Sequence, residues 1–238
     1  FSGSGELSGH ALGNLIITAL WQQSDDIVAG LDTVSALLGA QGRVLPLSLQ
    51  PLDVIADVRN ADGEVVRVAG QVQVATTTGR VEAIHLSPSD ATATPQALAA
   101  LDEAELIVMG PGSWFTSVIN HLLLPDLAQH LIASPATKIL VSNMCSQTGE
   151  TEGFTTSEHL DVLANMNPQL RFDAVMVDSS LADESMTAAA ARLGAMLIAT
   201  PLAQDSNPQA HDPELLAKCV NSFLESAASK SEGEKAWQ

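Results

Sequence analysis

Glu105 to Leu124, ELIVMGPGSWFTSVINHLLL, is the stretch whose reading decides the fold. Leu106 to Met109 is a short unbroken apolar run, as expected of a strand covered on both faces. Gly110, Pro111 and Gly112 then make a sharp turn. After them Phe115, Val118, Ile119 and Leu122 recur at i, i+3, i+4 and i+7, which predicts a helix. A strand, a glycine turn and a helix form a shape suited to anions: backbone approaches a ligand without an intervening Cβ, and the first helical turn leaves N–H donors unpaired. Ser113, Thr116 and Ser117 add hydroxyls at that mouth. The plainer alternative is a tight connection with Ser113 as an ordinary N-cap.

Working outward, the apolar runs Leu106 to Met109, Lys138 to Val141, Ala174 to Val177 and Ala195 to Ala199 lack period-2 alternation, as parallel strands do. Helical patterns at Pro125 to Ala133, Thr156 to Ala164, Glu184 to Leu193 and Pro213 to Ser226 separate or follow them. The expectation is an α/β protein: a Rossmann-like, doubly wound, mostly parallel sheet whose ligand loops leave the carboxyl ends of the strands. One such domain spans 1–238. Residues 43–90 differ, because RVLPLSL, DVIADVR, EVVRVAGQVQVA and RVEAIHLS alternate and are broken by Asn60, Asp62, Gly63 and Gly79; they predict a β-rich insertion of antiparallel strands. Two amphipathic helices come first, over residues 9–23 and over Asp25 to Leu38, and a loose tail is expected over 227–238.

The second strand-end loop, Asn143 to Gly153, gathers Asn143, Gln147, Thr148, Gly149, Glu150 and Thr151, more hydrogen-bonding capacity than a simple connection needs. Taken alone it also fits a polar surface loop. His10 and Asn14 lie at i, i+4 on the first helical turn, facing either a cleft or water. His211 and Asp212 could reach a ligand, although Asp212 before Pro213 is also a good helix cap. The remaining histidines, His85, His121, His130 and His159, suggest surface or satisfied structural residues.

The net charge of −18, from 28 acidic and 10 basic residues, repels nucleic acid and anionic lipid. Phosphate would then have to be neutralised by backbone N–H groups, helix ends, a metal or one of the few arginines, such as Arg43. No apolar run approaches the roughly 20 residues of a membrane span, and no signal peptide is visible. Cys145 and Cys219 are too few for a disulfide framework or a zinc cage, so a reducing cytoplasm is the expected compartment. There is no P-loop lysine after the glycine turn, no Cys-x-x-Cys and no nucleophile elbow. Binding is legible; chemistry is not. No catalytic residue and no metal site can be assigned, the cofactor is unknown, and a homo-oligomer is compatible with the sequence.

With these pieces in place the chain resembles the gluconeogenesis factor and 2-phospho-L-lactate transferase family, and its bacterial gluconeogenesis factor branch in particular. The matching segments are GHALGNL at Gly9 to Leu15, GRVLP at Gly42 to Pro46, GPGSWFTSVI at Gly110 to Ile119, the Asn143 to Gly153 loop continuing to Phe154 with its QTGETEGF, and HDPELLA at His211 to Ala217. The resemblance implies a Rossmann-like core and a nucleotide-type ligand. Members of the bacterial branch bind UDP-sugars, without an established catalytic activity, and are linked to growth on gluconeogenic carbon sources and to cell shape. The other branch implies transfer of a phospholactyl-type group to a deazaflavin with metal-bound acidic residues. Two departures stand out. The family's opening glycine-rich turn and the acidic segment after it are not in this sequence, which is expected to start part-way into its gene product. Ala210 stands where many members have an arginine before the His-Asp pair.

Overall fold

The computed structural model describes residues 4–24, 26–147 and 149–235. Helices α1 (Leu12–Gln23) and α2 (Ile27–Leu38) pack against each other, with the Trp21 ring against Gly30. Asp26 caps α2 by accepting the Val28 amide at 2.8 Å, and Gly39, at φ 62°, ends it in the left-handed conformation that glycine adopts without strain. Asp25, the expected start, lies outside the described residues. The apolar positions expected to form a buried face on α1 do not: no residue of this helix is buried, and Leu12 is exposed.

The insertion is a three-stranded antiparallel sheet of order β2-β1-β3, from β1 (Asp53–Arg59), β2 (Val65–Ala69) and β3 (Arg80–Ser87). Val54, Ala56 and Val58 of β1 alternate inward as a half-buried strand must, and a bulge between Asp57 and Val58 shifts their register with β3. Two expectations fail here. RVLPLSL forms no strand, and its Pro46 has no amide to donate to a ladder; the segment is held instead by Thr94, whose hydroxyl donates to Pro46 O at 2.7 Å and whose amide donates to Leu47 O at 3.1 Å. EVVRVAGQVQVA is not one strand either, since the chain turns at Gly70 into the short helix α3 (Gln71–Ala75) and buries Val74.

Helix α4 (Pro95–Glu103), capped by Thr94, leads into the parallel sheet. Its strands β4 (Leu106–Met109), β5 (Thr137–Val141), β6 (Ala174–Asp178) and β7 (Met196–Thr200) lie in the consecutive order β4-β5-β6-β7. Between them run α5 (Asn120–Leu123) and α6 (Pro125–Ala133), then α7 (Thr156–Met166), then α8 (Glu184–Arg192). Burial explains the missing alternation. Ile139, Val141, Ala174 and Met176 pack on one face with Leu202 and Phe223, whereas Leu140, Val175 and Val177 join the larger cluster of Trp114, Leu160, Leu163 and Met186 on the other. The α/β class with a helix-covered parallel sheet and a β-rich insertion is as the sequence implied. A small hairpin of β8 (Ala203–Gln204) and β9 (Asn207–His211) precedes α9 (Pro213–Lys235), which continues past its expected end at Ser226. Cys219 packs against the cluster that holds Phe223, and burial pushes its thiol pKa up. Among the described residues no helix is long and apolar enough to cross a membrane.

Candidate functional site

The helix expected after the glycine turn begins as a π-helical turn, Trp114–Val118, in which the Ser113 carbonyl accepts from both Ser117 N and Val118 N. Pro125 then ends α5 and opens α6, so three short pieces replace one helix. All four apolar positions, Phe115, Val118, Ile119 and Leu122, are nevertheless buried. Ser113 makes no capping bond with its side chain.

The two strand-end loops are laced together. The Gly112 amide donates to Asn143 Oδ1 at 3.0 Å and the Asn143 amide returns a bond to Gly112 O at 2.9 Å. Trp114 N donates to Gln147 Oε1 at 2.9 Å, and Phe115 N to Glu150 Oε2 at 3.1 Å. The Thr116 hydroxyl donates to the other Glu150 oxygen at 2.5 Å. Thr151 completes the loop by accepting the Gln147 amide at 2.8 Å. Thus amides that the sequence offered to an anion are met by the protein's own acceptors, and Asn143, Gln147, Glu150 and Thr116 act as the frame of the mouth. Glu150 is 2% exposed and Thr151 fully buried.

Glycines within this mouth fall into two kinds. Gly149 has φ +93°, and a Cβ there would lie 2.4 Å from Ala75 O, so the loop touches α3 of the insertion through a position only glycine can fill. Gly110 has nothing within 4 Å of a built Cβ, and Gly112 only ordinary 3.8 Å contacts with Ser117 and Val118. Internal packing does not require glycine at these two positions. Beside them a largely apolar cavity of ≈ 380 Å³ follows β4, with Ile107, Met109, Leu127 and Leu131 on its walls and Ser117 and His121 at its rim.

The other sequence candidates have neighbours of their own or fall outside the described residues. Thr148 is outside the described residues. His10 precedes α1, and Asn14 lies in its first turn, its carbonyl accepting the Thr18 hydroxyl at 2.8 Å. Arg43 forms a two-pronged ion pair with Asp32 at 2.9 and 2.7 Å. The other arginines are also engaged: Arg59 with Glu82, Arg67 with Asp57, Arg80 with Glu158, Arg192 with Asp161, and Arg171 with the carbonyls of Pro168 and Leu170. Among the described residues no group of three or more His, Cys, Asp or Glu side chains is placed to hold a metal ion.

His85, His121, His130 and His159, expected as surface or satisfied structural residues, each have a polar neighbour. His85 lies 3.2 Å from Asp57, His130 2.7 Å from Asp102, and His121 Nδ1 3.0 Å from Ser117 O. His159 is buried, its Nδ1 2.9 Å from Thr155 O and its ring edge-on to Trp114 at 4.9 Å; burial lowers its pKa.

Polar groups not named among the candidate site residues sit at the neighbouring strand ends. Asp178 closes β6, and its carboxylate accepts from Ser180 N and Oγ, Leu202 N and Ala203 N at 2.9, 2.6, 2.6 and 3.0 Å. Burial raises its pKa, but these four donors outweigh burial and bring it down to about 2. Ser142 follows β5 and is 3% exposed. A polar residue directly after an unbroken apolar run was the available signal for both.

A profile of the CofD family, described as 2-phospho-L-lactate transferase CofD, matches residues 1–222. The chain belongs to the CofD family. Within that family it is similar to a protein of Mycobacterium tuberculosis named "Putative gluconeogenesis factor", 42% identical over 229 residues that cover 93% of this chain and 67% of the relative. The "Gluconeogenesis factor" of Listeria monocytogenes is 37% identical over 163 residues, 68% of this chain and 49% of that protein. The chain therefore spans about two-thirds of the mycobacterial relative and half of the Listeria one. Two crystal structures of Bacillus halodurans protein share the fold. One superimposes with a TM-score of 0.81 at 25% identity, covering 92% of this chain and 75% of that one; the other, described as a member of the UPF0052 family, gives 0.79 at 26%, covering 92% and 74%.

Proposed function

We propose that this CofD-family protein is a gluconeogenesis factor that binds a UDP-sugar at the carboxyl ends of β4 and β5 and serves as a regulator of growth on gluconeogenic carbon sources and of cell shape. The observation that carries the reading is the pair of open glycines, Gly110 and Gly112, on a turn held rigid by Asn143, Gln147 and Glu150. A preorganised turn with no Cβ in front of it suits close approach by a phosphate-bearing ligand, because little ordering has to occur on binding. In this arrangement Gly110, Gly112, Ser113 and Ser117 meet the ligand, and the Asn143 to Thr151 loop holds them in place. The gluconeogenesis factor names of the mycobacterial and Listeria relatives support the same reading.

A second reading is a phospholactyl-type transferase of deazaflavin coenzyme synthesis, favoured by the description of the matching family. A thermal-shift panel separates the two. The full-length protein is heated with UDP-N-acetylglucosamine, UDP-glucose, GTP, GDP and a deazaflavin, each with and without magnesium. Binding to the native state stabilises it by about 2.7 kcal/mol at a ligand concentration about 100 times the dissociation constant. Stabilisation by UDP-sugars alone is the expected result. Stabilisation by a deazaflavin with a guanine nucleotide and magnesium, with turnover, would establish the transferase instead.

A further inference from the structure

The cavity that follows β4 differs in character from the chain that builds it. The net charge is −18, yet no Asp, Glu, Lys or Arg is among the residues that line this space of ≈ 380 Å³. Ile107, Met109, Val118, Leu127 and Leu131 form its walls, and the glycine turn, Gly110 to Gly112, lines it too. Apolar walls with a few polar groups at the rim are the usual form of a small-molecule site, and the volume lies within the roughly 300–1,000 Å³ that such sites span.

Two polar side chains stand exposed at the rim, Ser117 and His121. Ser117 lies directly beside the turn, its Cβ 3.8 Å from where a Gly112 Cβ would stand. His121 is oriented by backbone one turn earlier: Nδ1 lies 3.0 Å from Ser117 O and 3.3 Å from Val118 O. Carbonyl oxygens only accept, so Nδ1 carries a proton, and the uncharged ring is left with Nε2 as an acceptor. The rim thus offers one oriented acceptor and, in the Ser117 hydroxyl, a group that both donates and accepts.

This combination sorts the parts of a nucleotide-sugar. Phosphates find no cation among the lining residues. A sugar ring carries hydroxyls around its whole edge, and most of them would lie unpaired against hydrocarbon, which costs free energy for each. A base has flat faces that bury well between apolar side chains and keeps its hydrogen-bonding groups on its edge.

We propose that the cavity receives the base of the nucleotide while the diphosphate lies over Gly110 and Gly112, and that His121 Nε2 selects a base whose ring nitrogen carries a hydrogen. Uracil, with its N–H between two carbonyls, donates to Nε2 and accepts from the Ser117 hydroxyl. Cytosine has a bare ring nitrogen at that position and sets one lone pair against another. This assignment rests on the nucleotide-sugar reading and adds to it the residues that choose the base.

The test is calorimetry on the full chain with UDP-glucose and CDP-glucose, which differ only at the base edge, comparing the natural protein with His121→Phe. The natural protein should bind UDP-glucose on the order of ten-fold more tightly, and His121→Phe, which keeps a flat ring at the rim, should bring the two within about two-fold. In the complex with UDP-N-acetylglucosamine, intermolecular NOEs should connect the uracil ring protons with the Leu127 and Leu131 methyls. Equal affinity for the two nucleotide-sugars, a uracil preference that survives in His121→Phe, or uracil NOEs only to methyls outside the cavity overturns the base pocket and leaves the nucleotide-sugar reading standing. Failure of the natural protein to bind any of these nucleotide-sugars overturns both. If His121→Phe does not fold, His121→Ala takes its place.

Discussion

The carboxylate of Glu150 reaches from the second strand-end loop to the start of the π-helical turn, where its two oxygens receive the Thr116 hydroxyl at 2.5 Å and the Phe115 amide at 3.1 Å. It is 2% exposed, so those bonds have no competition from water. Glu150→Ala leaves a buried hydroxyl and a buried amide unpaired. It should lower unfolding stability by about 2–3 kcal/mol, measured by urea denaturation. Glu150→Gln keeps one acceptor oxygen and should cost less.

The two kinds of glycine predict opposite substitution behaviour. Gly149→Ala places a Cβ 2.4 Å from Ala75 O in a left-handed conformation and should cost at least about 2 kcal/mol of stability. Gly112→Ala meets only 3.8 Å contacts and should fold within about 1 kcal/mol of the natural protein. Its effect should appear in UDP-sugar affinity measured by calorimetry. Unchanged affinity would remove Gly112 from the site.

Asp178 supplies an acid-range prediction. Its folded-state pKa of about 2 lies below the ordinary 3.8, so the stability it contributes is fully present above pH 3.8 and is lost as pH falls toward 2. The slope of denaturation free energy against pH over that window should flatten in Asp178→Asn, provided the variant folds. The same substitution loosens the β8–β9 hairpin, which amide exchange at Leu202 and Ala203 would report.

His159 acts in a higher window. Burial lowers its pKa below 6.5, so the unfolded chain takes up a proton before the folded chain does. Stability should be full above pH 6.5 and fall as pH drops below it. His159→Gln should reduce that dependence while losing the edge-on contact with Trp114; His211, also lowered by burial, accounts for a remaining part. Denaturant midpoints between pH 7.5 and 5 measure both.

The sheet core gives a packing benchmark. Met176 is fully buried between β5 and the α9 side of the sheet, so Met176→Ala should cost about 2–5 kcal/mol in the same urea assay.

The sequence by itself determined the features set by local pattern. Unbroken apolar runs marked β4, β5, β6 and β7; β5 and β6 are covered on both faces and have no reason to alternate, whereas the outer strands β4 and β7 leave Val108 and Met196 exposed. The i, i+3, i+4, i+7 spacing marked Phe115, Val118, Ile119 and Leu122, which are buried, although the π-helical turn there also buries Trp114 and Thr116, which the spacing did not mark. Asp26 and Asp212 stand near the helix starts that the sequence marked, where short acceptors satisfy unpaired amides.

Tertiary structure decided which polar groups face each other. Asn143, Gln147 and Glu150 were legible as hydrogen-bonding capacity at a strand end, but one-dimensional order carries no sign of the amides more than thirty residues away that they hold. Nor does it show that folding pairs Arg43, a candidate counter-charge, with Asp32. Ser142, Asp178 and His211 lie at two strand ends and on a hairpin, and neighbours of that kind exist only once parallel strands are aligned. Hydrophobic pattern is written locally because each residue's burial depends on its own face. Hydrogen-bond pairing depends on two residues at once, so it emerges only when the chain has closed on itself.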